Sequence, residues 1–259
     1  MFKSLQARIQ VFVVALLTLT VLSVGVLSYQ QLRRQVLEGG ENEARSAIAG
    51  YSFAVGEWLS SRVIMVSSLR SVVTKPDAEA NYRRYAEAGN FPLVFAGYPD
   101  KRFVASKPLT MPPGFDPTVR GWYQGAVQLG PNAVFVTKPY VDASSGELVL
   151  SVAAAAIEDG KTQGVVGIDM SPGDIVKQLL SVKLPGEGFA FLVHKDGTML
   201  IHPNKDAILK PISDIIPELT QARQAQAVAD GRMFTAQRAD GERFIILAPV
   251  KNSEWVLGV

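Results

Sequence analysis

The sequence predicts an α+β chain: an N-terminal transmembrane helix, a long helix after it, and two tandem modules that each contain an antiparallel sheet. Three observations support this class. An uncharged apolar run of membrane-spanning length lies near the start. Apolar residues spaced by three and four follow it, and two hairpin patterns then recur at a roughly constant offset.

The apolar run from Val11 to Tyr29 contains no charged residue, and its roughly 19 residues suit a helix that crosses the hydrocarbon layer. A cleaved signal peptide is the alternative, but the run is long for one and no small-residue cleavage site follows it. Basic residues lie on both sides of the run, so charge alone does not orient it. We expect a transmembrane helix over 11–29 and an N-terminal tail over 1–10, which is cytoplasmic if the type of domain that follows lies outside the cytoplasm.

A long helix is expected over 30–76, because apolar residues there define one helical face. These residues are Ile48, Tyr51, Val55, Trp58, Leu59, Val63, Val66, Leu69 and Val73. Turn-forming residues at Asn81, Gly89, Asn90 and Pro92 are expected to end helical structure before a mostly β region.

The candidate strands are short apolar runs between turn signals. They are Leu93–Tyr98, Arg102–Ala105, Val134–Thr137, Leu148–Ala156 and Gly164–Met170. Helical connections are expected at Asp174–Val182 and Ile212–Asp230.

An internal repeat organises the β region. The strand–turn–strand segment 95–108 is echoed by 191–203, and the hairpin 158–170 is echoed by 250–259, both with offsets of about 90 to 100 residues. Chance similarity of hairpins is the alternative for either pair, but the matched order and offset favour duplication. We expect a first module over 77–185 and a second module over 186–259.

Composition excludes several functions. The chain has 26 Lys and Arg against 24 Asp and Glu, which gives no general electrostatic case for nucleic acid, and it has no Cys. The two histidines, His194 and His202, have no metal-binding spacing and are expected to be hairpin residues. Nucleophile elbows and phosphate-binding glycine loops are absent from the sequence. We expect no enzyme activity, no cofactor and no metal.

The segment after the second strand has the residues of a small-molecule pocket. Pro117 is expected to open a short helix that places Arg120, Trp122 and Tyr123 within one turn. Arginine suits a carboxylate, and aromatic faces suit a cation. Tyr140, Asp142 and Asp169 end nearby strands, and carboxylates beside aromatic rings are what a buried ammonium requires. The alternative is that Arg120 forms a structural ion pair with Asp142 or Asp169 while the aromatic residues pack in the core.

The chain resembles the double Cache sensor domains of bacterial methyl-accepting chemotaxis proteins from the spanning helix to its end. The stretch FDPTVRGWY is similar to the Tyr-Asp-Pro-x-x-Arg-x-Trp-Tyr pattern of that family. The segment GFAFLVHKDGTMLIHPN resembles the start of its membrane-proximal module. The long helix and the tandem repeat complete the likeness. The resemblance therefore implies two PAS-like Cache modules.

Within the amino-acid-binding branch of that family, the resemblance implies a ligand in the first, membrane-distal module. Arg120 and Trp122 would hold its carboxylate, and Tyr123 would line the pocket. Its ammonium would be held by three residues. These are Tyr140, Asp142 and Asp169. Phe115 departs from the tyrosine of the pattern and removes a carboxylate donor, which favours amines such as biogenic amines, polyamines or choline-like cations over an L-amino acid.

The resemblance further implies a chemoreceptor in the bacterial inner membrane, with its sensor domain in the periplasm and a homodimeric state. A second spanning helix and a cytoplasmic part that contacts chemotaxis signalling proteins would follow residue 259. A histidine kinase or a diguanylate cyclase is the alternative output, and a tethered periplasmic enzyme is a weaker one.

Overall fold

The computed structural model describes residues 5–171, 173, 175, 188–238 and 241–259. By internal contacts the chain divides into two compact units, Met1–Ala47 and Ile48–Val259. Helix α1, Leu5–Leu69, is the first element of the chain.

In the first unit, Ile9–Arg33 is an apolar helical segment with a mean hydropathy of 2.5, and it is long enough to cross a membrane. The Thr18 hydroxyl donates to the Val14 carbonyl at 2.8 Å, and Thr20 and Ser23 make similar bonds to carbonyls three or four residues earlier. Because these hydroxyl donors are satisfied within the helix, the segment is compatible with hydrocarbon. The spanning helix predicted over 11–29 lies inside it.

In the second unit, the predicted apolar face of α1 is buried. Its buried members include Ile48, Val55, Leu59, Val66 and Leu69. The helix ends at Leu69 and a 3-10 turn follows over Arg70–Val72, so regular α-helix stops before the expected end at 76.

A separate helix, α2 over Ala78–Gly89, occupies the region where the sequence indicated only a break. Its Tyr82 side chain is fully buried, and Asn81 lies inside the helix with its amide bonded to the Asp77 carbonyl at 3.0 Å. Packing therefore overrides the turn preference of Asn81. Asn90 ends the helix in the left-handed conformation, at φ 49°.

The first sheet contains all five candidate strands. Its members are β1 Leu93–Gly97, β2 Phe103–Ala105, β3 Phe135–Val136, β4 Tyr140–Val141, β5 Leu148–Glu158 and β6 Lys161–Met170. All pairings are antiparallel in the order β2-β1-β6-β5-β3, and β4 also pairs with β5. Helix α3, Gly121–Leu129, lies between β2 and β3 in the chain.

The second sheet is also antiparallel and has the order β11-β12-β7-β8. Its strands are β7 Phe191–His194, β8 Met199–Ile201, β11 Leu247–Pro249 and β12 Trp255–Gly258. A separate ribbon pairs β9, Phe234–Arg238, with β10, Gly241–Ile245.

The two sheets have the same topology. In each, the first strand forms a hairpin with the next strand, and on its other side it pairs with the last strand of the module: β2-β1-β6-β5 corresponds to β8-β7-β12-β11. The hairpin echoes at 95–108 and 191–203 are β1–β2 and β7–β8. The prediction of two modules with antiparallel sheets is thus confirmed.

The predicted helical connections are only partly matched. Of the segment 212–230, Ile212–Asp214 is a 3-10 turn and Gln221–Asp230 is helix α4. Most of the connection predicted at 174–182 lies outside the described residues.

Lys138, just before β4, reaches the turn after β7, where its Nζ lies 2.5 Å from Asp196 Oδ2 and 3.2 Å from Thr198 Oγ1.

Candidate functional site

The segment that leads into α3 has a different local structure from the one predicted. Asp116 caps a 3-10 turn over Pro117–Val119 by accepting hydrogen bonds from the Thr118 amide at 2.9 Å and hydroxyl at 2.6 Å. Arg120 follows in an extended conformation, at φ −80° and ψ 146°. Pro117 therefore opens a 3-10 turn, and Arg120 precedes α3, because Asp116 closes a local turn before the α-helix starts.

Trp122 is fixed by a glycine on the facing strand. A Cβ at Gly97 would lie 2.7 Å from both the Trp122 ring and Pro117, so only glycine admits this contact. Trp122 is 4% exposed and meets Phe95 edge-to-face with ring centroids 4.9 Å apart. The first turn of α3 is thus held against β1.

Strand alternation determines which polar side chains face α3. The odd-numbered residues of β5 and β6 share the face on which α3 packs; Ala153, Ala155 and Val165 are in that core. Ser151 and Asp169 continue the same face and are paired directly across the two strands. Both are buried.

A chain of hydrogen bonds ends at the Asp169 carboxylate. The Ser151 hydroxyl donates to Asp169 Oδ1 at 2.5 Å, and the Tyr140 hydroxyl lies 2.7 Å from Ser151 Oγ. Because the Ser151 proton points to Asp169, Tyr140 donates to Ser151. Burial, helped by the nearby Asp169 carboxylate, raises the pKa of the Tyr140 hydroxyl, so Tyr140 remains a neutral donor.

The electrostatic state of Asp169 is dominated by burial. Burial raises its pKa from 3.8 to about 7, although the hydrogen bond from Ser151 opposes the shift. Among the described residues, no Lys, Arg or His forms an ion pair with it. Asp169 is therefore a buried carboxylate that has a hydrogen-bond donor but no ion-pair partner among the described residues.

Asp142 is at the same site but also has a structural task. Its Oδ1 accepts four hydrogen bonds, from the amides and hydroxyls of Ser144 and Ser145, at 2.7–3.1 Å. Partial burial raises its pKa, but these bonds outweigh that effect and the net pKa is lowered. Asp142 is ionised, and it shapes the β4–β5 turn through Oδ1.

Arg120 has no carboxylate partner among the described residues, so the predicted alternative of an ion pair with Asp142 or Asp169 does not form. Its guanidinium carbon lies 5.5 Å from the centre of the Phe115 ring. Phe115 in turn packs edge-to-face on Phe103 with a centroid distance of 5.3 Å. The guanidinium is thus supported by an aromatic ring and remains open to an anion.

These groups surround one narrow cavity that is open at its mouth and has about 10 Å³ of free space, about the room that one water molecule needs. It is lined by Leu93, Phe95, Phe103, Leu109, Met111, Phe115, Arg120, Trp122, Tyr140, Asp142, Ala143, Ser144 and Asp169. A second, wider cavity with about 430 Å³ of free space shares Arg120, Trp122 and Tyr140 with the first.

Six of the seven predicted site residues line the first cavity, and Tyr123 does not. Its side chain is 7% exposed and packs on Trp122 with ring centroids 5.7 Å apart, because successive helical residues point in different directions. Tyr123 therefore belongs to the core, as the alternative interpretation held.

Ser151 is the polar contact that the sequence interpretation missed. It is the only hydroxyl in the apolar strand β5, and its position matches the inward alternation of that strand. A lone polar residue on the buried face of a strand requires a partner, and that requirement was the available signal.

Within the described part of the chain, no three His, Asp or Glu side chains converge as a metal site would require. His194 instead bonds Glu254 Oε2 through Nε2 at 2.9 Å, and its Nδ1 lies 2.9 Å from Asp196 Oδ1. This histidine joins the turns after β7 and before β12.

Comparison with characterised proteins agrees with this architecture. The chemotaxis protein PctB of Pseudomonas aeruginosa is 30% identical over 212 residues, which is 79% of this chain and 32% of PctB. McpC of Bacillus subtilis is 28% identical over 252 residues, which is 92% of this chain and 38% of McpC. The chain thus spans about a third of the length of these curated relatives, which are methyl-accepting chemotaxis proteins.

Solved ligand-binding domains align over nearly their whole length. That of chemoreceptor CtaA of Pseudomonas fluorescens, in complex with L-isoleucine, has a TM-score of 0.75 and 27% identity, covering 87% of this chain and 93% of that one. That of PctC of P. aeruginosa, in complex with GABA, has a TM-score of 0.69 and 26% identity, covering 84% and 97%. The model of the Cache domain family, dCache_1, matches residues 28–259, and the chain belongs to this family.

Proposed function

We propose that this chain is the extracytoplasmic sensor part of a chemoreceptor, and that its membrane-distal module binds a small molecule with both an ammonium and a carboxylate group. The observation that carries the proposal is the cavity that has Asp169 and Arg120 in its walls, neither of which is ion-paired among the described residues. Opposite charges that lack protein partners in one cavity call for a zwitterion.

The ammonium end is assigned to Asp169, with Asp142 beside it. A ligand ammonium would supply the cation that Asp169 lacks and would stabilise the charged form of this buried carboxylate. Oδ2 of Asp142 has no hydrogen-bond partner among the described residues, so it can accept from the same ammonium. Tyr140 contributes by holding Ser151, and so Asp169, in position.

The carboxylate end is assigned to Arg120. Phe115 cannot donate a hydrogen bond, and from the sequence this favoured simple amines. The Phe115 ring lies 5.5 Å from the guanidinium carbon of Arg120 and would support that group. Arg120 lies in the cavity wall and has no carboxylate partner there, which favours a ligand that has a carboxylate group. Amines that lack a carboxylate are thus expected to bind more weakly.

The relatives support a ligand of this kind. CtaA domains were solved with L-isoleucine and L-alanine, the PctB domain with L-Arg, and the PctC domain with GABA. All are small molecules with an amine and a carboxylate. Because the side chains of these ligands range from apolar to charged, the relatives do not indicate which ligand side chain this protein binds.

The remaining parts of the proposal concern the whole receptor. The apolar helix Ile9–Arg33 would anchor the sensor in the inner membrane, with the two modules in the periplasm. Phe53 and Ile64 on α1 are exposed apolar residues, 62% and 69% accessible, and would lie in a homodimer interface. Ligand binding would then shift the population of receptor states through differential affinity, and cytoplasmic chemotaxis proteins would receive the signal.

Calorimetric titration of the complete chain in lipid nanodiscs tests the ligand assignment with three compounds that share one alkyl chain. L-norleucine has both charged groups, pentylamine lacks the carboxylate, and hexanoate lacks the ammonium. We expect norleucine to bind at least tenfold more tightly than pentylamine, and hexanoate to bind weakest. Equal affinities for all three compounds would contradict the assignment.

A further inference from the structure

The lining of the cavity also bears on the side chain of the ligand. Resting on the function proposed above, we propose that this site selects amino acids with an apolar side chain and discriminates against charged ones. The ligand side chain would contact the part of the cavity wall that its ammonium and carboxylate do not reach.

The polar groups of the lining already have partners or assigned roles. Asp169 and Arg120 serve the two charged ends of the ligand, and the Tyr140 hydroxyl is bonded to Ser151 at 2.7 Å. The Ser144 hydroxyl donates to Asp142 Oδ1 at 2.7 Å, within the turn. No further charged or hydroxyl side chain lines this cavity among the described residues. Among the described lining residues, a polar ligand side chain would therefore lose water and find only Oδ2 of Asp142 or the indole N–H of Trp122 as a partner.

The rest of the wall is apolar and comes from a different part of the module. It consists of Leu93 and Phe95 of β1, Phe103 of β2, and Leu109, Met111 and Phe115 of the following loop. Phe95 and Phe103 stack with ring centroids 5.6 Å apart, and Phe103 meets Phe115 at 5.3 Å. These contacts keep the apolar wall continuous.

The position of Phe95 depends on a neighbouring glycine. A Cβ at Gly167 would lie 2.7 Å from the Phe95 ring, so glycine lets this ring lie over β6 beside Asp169. Leu93 is the register partner of Asp169 on the adjacent strand. An apolar surface therefore begins directly next to the Asp169 carboxylate, where we expect the side chain of a bound amino acid to start.

Two routes for a polar side chain compete with this proposal. A cationic side chain could reach Asp142 Oδ2, and a long chain could pass Arg120 into the wider cavity, where Lys138 lies. Lys138 is already paired with Asp196. Asp142 is beside Asp169 and is expected to share the α-ammonium. The continuous apolar wall therefore favours a ligand with an apolar side chain.

The test is calorimetric titration of the complete chain in nanodiscs with side chains matched in length. L-lysine has a terminal ammonium that L-norleucine lacks, and L-threonine has a hydroxyl in place of one methyl group of L-valine. We expect norleucine to bind at least 100-fold more tightly than lysine, and valine about tenfold more tightly than threonine. Each additional buried methylene from alanine to norleucine should raise affinity by roughly fourfold.

Met111 provides a reversal test, because it is half-buried and replacement should not unfold the module. Met111→Glu should move the norleucine-to-lysine affinity ratio at least tenfold toward lysine, while Met111→Gln should leave lysine weak. Lysine or L-glutamate binding to the wild type as tightly as norleucine would overturn the apolar selection. Binding of none of these amino acids would instead contradict the proposed function, so the two failures are distinguishable.

Discussion

The hydroxyl of Ser151 lies 2.5 Å from Oδ1 of Asp169, across two paired strands and away from solvent. This contact gives the buried carboxylate a neutral donor, but among the described residues no Lys, Arg or His forms an ion pair with it. A carboxylate in this state is costly to ionise until a cation arrives. The free energy of unfolding of the module should therefore depend on whether a ligand cation occupies the cavity beside Asp169.

Removing this donor should weaken ligand binding. In Ser151→Ala, Asp169 loses the hydroxyl donor that Ser151 supplies, its pKa should rise further, and calorimetry at pH 7.5 should show about tenfold weaker norleucine binding. Ser52→Ala is the matched control, because Ser52 is also buried and bonds the Pro249 carbonyl at 2.5 Å. It should lower the melting temperature without changing affinity. If Ser151→Ala and Ser52→Ala had the same affinity for norleucine, the role of Ser151 in binding would be contradicted.

The stability of the ligand-free protein should depend on Asp169 ionisation. Its folded pKa of about 7 exceeds the ordinary 3.8, so between these values the folded state binds more protons than the unfolded state. Stability is therefore lost as pH rises from about 4 to 7, by up to about 1.4 kcal/mol per pH unit from this group. Denaturation of Asp169→Asn should show a smaller loss over this range. Parallel pH profiles would contradict the burial argument.

Two substitutions should separate the structural role of Asp142 in the turn from its role in ligand binding. Asparagine retains an oxygen that can accept the hydrogen bonds of the turn, so Asp142→Asn should keep the melting temperature and weaken norleucine binding less than Asp169→Asn does. Asp142→Ala removes four acceptor contacts and should cost about 1–2 kcal/mol of unfolding free energy. If Asp142→Ala left stability unchanged, the turn would not depend on Asp142.

The packing of Trp122 against β1 can be tested by substitution of Gly97. A methyl group there would overlap the Trp122 ring, so Gly97→Ala should cost about 1–3 kcal/mol and weaken norleucine binding. At Gly121, the first residue of α3, an added methyl group would have no atom within 4 Å. Gly121→Ala should therefore be neutral or stabilising by up to about 1 kcal/mol. Comparable losses in both variants, measured by urea denaturation, would argue against the steric account.

The fold was largely predictable because its signals are local. The apolar run at 11–29, the helical face from Ile48 and the repeated hairpins follow from periodicity. Helix α2 was missed because burial of Tyr82 outweighs the turn preference of Asn81, and no local signal reports that packing. The end of α1 at Leu69 likewise depends on the modules against which it packs.

The site was predictable as a set of residue types but not in its connections. Phe115, Arg120, Trp122, Tyr140, Asp142 and Asp169 line one cavity, while their part in binding stays a prediction. Ser151 was missed because its importance arises from the register of β5 with β6. Tyr123 was included because sequence proximity to Trp122 does not reveal the direction in which each side chain points.

The central claim is that Asp169 holds the ammonium of the ligand. The most direct measurement is a cycle in which L-norleucine and hexanoate are each titrated into the wild type and Asp169→Asn at pH 8. We predict that the wild type prefers norleucine at least 100-fold, and that Asp169→Asn reduces this preference to tenfold or less. An unchanged preference would show that Asp169 does not contact the ammonium, and would contradict the account.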